Sequence, residues 1–376
     1  MKSKYIGLLL FSLLAVIACE KPAKPPVYHW PIVEGFPKPQ VPADNPMSDA
    51  KVALGRVLFY DKALSFNQTQ SCASCHQQQF AFAEPLQTSI GSTGQEHRRN
   101  ALALVNIAYN KTLTWAHDGI TSIEQQVLIP MFGEAPIELG ITQHENAVLV
   151  RFKQEKYAAL FDKAFPNEAI SFNTISKALA SFVRSLISLN APFDHYAYQG
   201  DDNAISEAAI RGMNLFFSEK FECHHCHGGF NFTQSTTHER QILDRRPFHN
   251  TGLYFVERDN GYPKKDIGLA EVSGLSRDNG RFRAPTLRNI EVTAPYMHDG
   301  SISTLSEVLD FYAAGGRALV QGEFVGDGRA NPLKSPFVRG FEMTEQDKQD
   351  LLAFLATLTD EAFLTNPEFG PPSTDH

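Results

Sequence analysis

Cys72-Ala73-Ser74-Cys75-His76 and Cys223-His224-His225-Cys226-His227 share one frame, C-x-x-C-H, with their first cysteines 151 positions apart. The pair decides the reading of the chain. This spacing suits covalent haem attachment, in which both cysteines form thioethers to the porphyrin and the following histidine ligates the iron. Disulfides are the alternative for an exported protein, and His224 and His225 make zinc conceivable at the second frame. Neither explains two equivalent frames in separate halves of one chain. Two covalently bound haem c groups are therefore expected, one held by Cys72, Cys75 and His76, the other by Cys223, Cys226 and His227.

Outward from these frames the pattern is helical. Asn173 to Leu189 places apolar residues at helical spacing, and Ser206 to Ser218 does the same just before the second frame. Thr304 to Phe311 begins with a plausible cap, and Thr344 to Leu358 reads as an amphipathic closing helix. Between the second frame and Gly300, many Gly, Asp and Asn residues predict loops and short hairpins. The expected fold class is mainly α: two cytochrome c-like haem domains, residues 44–190 and 191–360, with loop-rich connections, little β and a tail over 361–376.

The first nineteen residues, MKSKYIGLLLFSLLAVIAC, have two lysines, an apolar run and small residues, the layout of an export signal. The run from Tyr5 to Ala18 is short for a membrane span of about 20 residues. Its ending, Val16-Ile17-Ala18-Cys19, resembles the lipobox of bacterial lipoproteins, which makes Cys19 the candidate for lipidation. Residues 20–43 are rich in proline and read as a tether. A periplasmic lipoprotein of a Gram-negative-type bacterium is expected, and Glu20 after Cys19 leans towards the outer membrane.

Composition excludes little else. With 43% hydrophobic and 20% charged residues, the chain is an ordinary globular one, long enough for two cores. Phe is abundant, 28 of 376, as suits a protein that wraps large apolar groups. The formal charge of −8 argues against nucleic acid and favours a basic partner, such as a small positively charged electron carrier.

Further landmarks carry a family resemblance: Leu54–Phe59 (LGRVLF), Arg99-Asn100, Glu138-Leu139-Gly140, Gly280–Asn289 (GRFRAPTLRN) and Thr293–Gly300 (TAPYMHDG). With the paired C-x-x-C-H frames, these resemble the bacterial di-haem cytochrome c peroxidase family, which includes the MauG proteins. The resemblance implies that one haem reacts with hydrogen peroxide while the other relays electrons, from a small c-type cytochrome or another donor. It also implies calcium at the domain boundary, bound by the Asn100 side chain and the carbonyls of Thr293 and Pro295.

The same register assigns further roles. Glu138 matches the family's distal glutamate and Gln126 a distal-pocket glutamine, which together would handle peroxide above the first iron. Many members cap that iron in the resting state with a histidine, and here Ser92 takes its place. An open iron needing no reductive activation is expected, with His97 and His117 as surface or packing residues. Trp115 matches the aromatic bridge between the haems, although two extra residues in Trp115-Ala116-His117-Asp118-Gly119 leave His117 as a competitor. Fourteen residues after His298 comes Tyr312, where cytochrome c peroxidases carry methionine and MauG-type proteins tyrosine; Met297 is the competing soft ligand. A tyrosine there favours oxidised iron. It raises the alternative of a MauG-like oxidase that modifies a partner protein by long-range electron transfer. A second alternative is a non-catalytic electron-transfer cytochrome.

Overall fold

The computed structural model describes residues 28–259 and 261–373. The expected signal segment with Cys19, and residues 20–27 of the tether, lie outside the described residues. Six helices of nine residues or more organise the rest: α1 (Asp49–Tyr60), α2 (Glu155–Ala164), α3 (Phe172–Ser185), α4 (Glu207–Phe216), α5 (Leu305–Ala313) and α6 (Glu345–Ala356). The only sheet among the described residues pairs β1 (Ala318–Leu319) antiparallel with β2 (Gly326–Asp327), Ala318 opposite Asp327. The fold is mainly α, as the sequence pattern implies. Between Gly228 and Gly300 no described helix exceeds four residues, and isolated bridges such as His249 to Phe282 tie the loops together.

Each half is built on one close helix crossing. α1 packs on α3, and α4 on α6. Glycine sits at both contacts: a Cβ on Gly55 would lie 2.0 Å from the Ala178 carbonyl oxygen, and one on Gly212 would lie 1.8 Å from that of Asp350. Backbones can approach this closely only where a side chain is missing. Ser48, Ser171, Ser206, Thr304 and Thr344 cap α1, α3, α4, α5 and α6 with their side chains.

A second repeated device follows each crossing. Asn106 and Asn289 both adopt left-handed backbone, at φ 54° and 59°. The Asn106 amide accepts from Ser188 N and donates to Ser188 O, both at 2.8 Å. Asn289 accepts from Asp360 N at 2.8 Å, and its backbone N–H bonds Leu358 O at 2.9 Å. This clasp explains why the helix expected to reach Leu189 stops at Ser185. Leu186 and Ser188 pair with Asn106 instead of continuing the turn.

Two segments expected to stand apart are packed. From Tyr28 onward the proline-rich stretch lies against the body. Trp30, Ile32, Val33 and Phe36 join Tyr109, Ile187 and Phe230 in one apolar cluster, and Tyr109 donates to Pro37 O at 2.7 Å. Its aromatic and β-branched residues supply the apolar area that a plain linker lacks. The segment after Asp360 crosses to the N-terminal half, where Phe363, Leu364 and Phe369 enter the first core. Gln78 and Arg56 hold its carbonyls, Gln78 bonding Asn366 O and Arg56 bonding Gly370 O.

Candidate haem sites and the space between them

Both C-x-x-C-H frames form single helical turns, Cys72–Cys75 and His224–His227, and no disulfide joins the four cysteines. Burial pushes the thiols of Cys72, Cys75 and Cys223 up to about 12 and that of Cys226 to about 11. No third metal-binding side chain joins either cysteine pair among the described residues, so a cysteine-bound zinc site lacks its ligands.

The two histidines are held alike. His76 Nδ1 lies 2.7 Å from Phe82 O, and His227 Nδ1 lies 3.2 Å from Phe232 O and 3.1 Å from Pro285 O. A carbonyl only accepts, so Nδ1 carries the proton and Nε2 keeps a free lone pair. Burial lowers the pKa of both rings, that of His227 to about 4. A neutral imidazole with its far nitrogen fixed by a carbonyl is the form that ligates a metal.

The second frame opens on an apolar cavity of about 1370 Å³, including its mouth, with Cys223, Cys226, His227, Leu309 and Tyr312 in its walls. The Tyr312 hydroxyl is buried, and its pKa is raised well above the ordinary phenol range, first by burial and then by nearby Cys226 and Cys223. Tyr312 thus shares the cavity with the attachment cysteines. Met297 also lines this cavity but borders the neighbouring one too. Arg283, which the sequence reading passed over, stands at the same boundary. It is 2% exposed, donates from Nε to Thr114 O at 3.1 Å and leaves Nη1 without a partner. Burial alone lowers its pKa, to about 10, and no carboxylate opposes it. A buried cation with an unpaired donor fits a haem propionate. The Arg-Phe-Arg of the quoted motif was the only sequence signal for it.

Around the first frame the polar groups differ. Glu138 stands close enough to both Cys72 and Cys75 for its charge to raise their pKa. Burial pushes its own carboxyl up to about 7, while about a third of the side chain (35%) still faces free space. Protein atoms crowd the carboxyl, and no cation is bonded to it. His97 Nε2 is 4.0 Å from Glu138 Oε1. Gln126 Oε1 and Ser92 Oγ are both buried without a partner. The loop carrying Ser92 is clamped beside Glu138, with Ser92 N bonding Glu138 O at 2.8 Å and Gln95 Oε1 accepting from Ile137 N at 3.0 Å. Gly91 permits this, because a Cβ there would lie 1.9 Å from Ile137 O.

Trp115 borders both the second cavity and a smaller one beside it, and its Nε1 donates to Asn100 O at 2.8 Å. His117 instead accepts from Gly119 N at 3.0 Å within its own turn. The smaller cavity is also bordered by Asn100, Thr293 and Pro295. Asn100 Nδ2 donates to Leu86 O and Gln87 O, which leaves Oδ1 free as a hard oxygen donor. These residues fit the oxygen chemistry of calcium.

Comparison with known proteins supplies the family. A family model described as di-haem cytochrome c peroxidase matches residues 49–203. The chain is 34% identical to cytochrome-c peroxidase IdrP1 of Pseudomonas sp. (strain SCT), over 88% of this chain and 86% of the relative. It is also 34% identical to methylamine utilization protein MauG of Methylorubrum extorquens, over 89% of this chain and 85% of that one. Among solved structures, a MauG-like protein associated with microbial copper homeostasis superposes with a TM-score of 0.89 at 46% identity. That match covers 92% of this chain and 99% of the other. Relatives named for peroxide reduction and a di-haem family description make the chain an oxidoreductase acting on peroxide with two c-type haems. The chain belongs to the di-haem cytochrome c peroxidase family.

Proposed function

We propose that the chain reduces hydrogen peroxide at the N-terminal haem and draws the two electrons through a tyrosine-ligated C-terminal haem from a partner protein, in the MauG manner. The observation that carries this reading is Tyr312, buried in the second cavity, which it shares with Cys223 and Cys226. An anionic tyrosine oxygen on iron favours higher oxidation states, where a methionine sulfur favours the reduced one. The 46% identity with a MauG-like protein supports the same subgroup, and its association with copper homeostasis makes a copper-handling protein a candidate partner.

Each haem, held by Cys72, Cys75 and His76 or by Cys223, Cys226 and His227, supplies the iron through which electrons reach peroxide. The chain's own residues do the rest. Glu138, as carboxylate, takes the proton from the near oxygen of peroxide and delivers it to the far oxygen, which leaves as water. The free Gln126 Oε1 accepts a hydrogen bond from the bound substrate. Ser92 stands where the family register expects a capping histidine, so no imidazole at that position would have to leave the iron before peroxide binds. Trp115, between the cavities, serves as the bridge in preference to His117, which is bonded within its own turn. Calcium on Asn100, Thr293 and Pro295 braces the boundary that Trp115 shares.

The exported, lipid-anchored state expected from Cys19 belongs to the same proposal. No helix among the described residues is long and apolar enough to cross a membrane. A second reading, turnover with a small cytochrome c donor, is favoured by the peroxidase relatives. The deciding experiment is Tyr312→Met in the haem-loaded protein. The proposal expects a changed second-haem spectrum, and an unchanged one removes the ligand.

A further inference from the structure

The second frame differs from the first in what lies between its cysteines. Cys72 and Cys75 enclose Ala73 and Ser74; Cys223 and Cys226 enclose His224 and His225. Haem attachment therefore does not require these imidazoles. The two rings stand side by side, centroids 4.2 Å apart, and His225 is stacked on Phe337 at 4.3 Å. Glu219 meets both: its carboxylate oxygens are 3.8 Å from His224 Nε2 and 3.7 Å from His225 Nε2. Glu222 Oε2 lies 2.7 Å from His225 Nε2 yet has no aligned hydrogen bond, although it is buried. Its other oxygen is held by Arg339, which fixes the carboxylate in place. His224 Nδ1 is likewise buried without a partner.

We propose that His224, His225, Glu219 and Glu222 bind one borderline divalent transition-metal ion, zinc or copper(II), on the outer rim of the second haem cavity. Two imidazole nitrogens with two carboxylate oxygens match the donors that zinc and copper(II) accept, and imidazole excludes calcium and magnesium. Bonds of about 2.0–2.1 Å put tetrahedral donors about 3.4 Å apart, so the Glu219 contacts need to close by only a few tenths of an ångström. Glu222 Oε2 and His225 Nε2, now 2.7 Å apart, would open by some tenths of an ångström to share the ion. Glu222 and Phe337 also line the haem cavity, so the bound ion would be one side chain away from it.

The test uses the full chain with both haems attached, free of any polyhistidine tag and stripped by a chelator. Equilibrium dialysis against zinc or copper(II), read by elemental analysis, should find one saturable equivalent beyond the two haem irons, at micromolar concentration or below. The double variant H224A/H225S copies the first frame's own spacer, and its haem content is checked by absorbance. Its affinity should fall at least about tenfold, the scale on which changes around a metal act. Glu219→Ala, at a side chain 81% exposed, should weaken binding without disturbing the fold and decides the matter if the double variant fails to load haem. The copper(II) EPR spectrum of the wild type should show two nitrogen donors. Absence of a saturable equivalent, or equal affinity in wild type and variants, would overturn the proposal.

Discussion

The two halves share a scaffold and differ in the polar groups gathered near each C-x-x-C-H frame. In each, two helices cross at a glycine, a left-handed asparagine clasps the strand-like exit, and an imidazole is aimed by backbone carbonyls. Beside the first frame stands a carboxylate, Glu138, with the unpartnered Ser92 clamped next to it. Beside the second stands a phenol, Tyr312, in an apolar cavity. The repeated parts position a haem, whereas the parts that are not repeated assign its task. On the proposed reading, the carboxylate would move protons at a substrate, and the phenol would serve as a ligand that tunes the second haem.

The largest effect should come from removing the proton carrier of the first half. Glu138→Gln is expected to lower peroxide-driven turnover about 10²–10⁴-fold while both haems stay attached. Full activity would erase the functional difference between the halves. In the wild type the rate should rise with pH through about 7, since only the ionised carboxyl accepts the proton. In Glu138→Gln that limb should vanish.

Stability gives the next comparison. Arg288 and Asp194 are paired at 2.8 Å with both side chains fully buried, in the C-terminal half. Asp194→Asn strands the guanidinium and should cost ~3–5 kcal/mol in denaturant unfolding followed at the second haem. If the first haem's environment melts equally early, the halves do not unfold separately. Tyr312→Met should raise the second haem's potential by on the order of 0.1 V within the range axial ligands span, with the first unmoved. A shift at both haems would show that the two cannot be tuned apart. The smallest effect is expected from calcium removal. A chelator should lower Tm by about 5 °C and leave both haem contents intact. No change in Tm would remove Asn100, Thr293 and Pro295 as ligands.

Much of this was legible in the sequence, and for physical reasons. Covalent attachment needs cysteines and histidine at fixed spacing, so the frames are local and readable. Helices α3, α4, α5 and α6 announce themselves by apolar period and by caps. The clasp was not legible, because Asn106 and Ser188 meet only in space, 82 residues apart. The same holds for the tail: Phe363 and Phe369 look like a solvated end until the first core receives them. Arg283 was quoted within a motif without a role, since burial and an unsatisfied N–H have no local signature. Glu138 and Tyr312 came only from family register, as neither residue's neighbours mark it out.

The most direct test of the central claim is rapid mixing of the fully ferric, haem-loaded protein with hydrogen peroxide, following both haem spectra, with and without reduced small cytochrome c. Both haems should change together after one equivalent of peroxide, without prior reduction, and the oxidised state should outlast the addition of that donor. Reaction only after the second haem has been reduced, followed by rapid catalytic oxidation of cytochrome c, would contradict that claim.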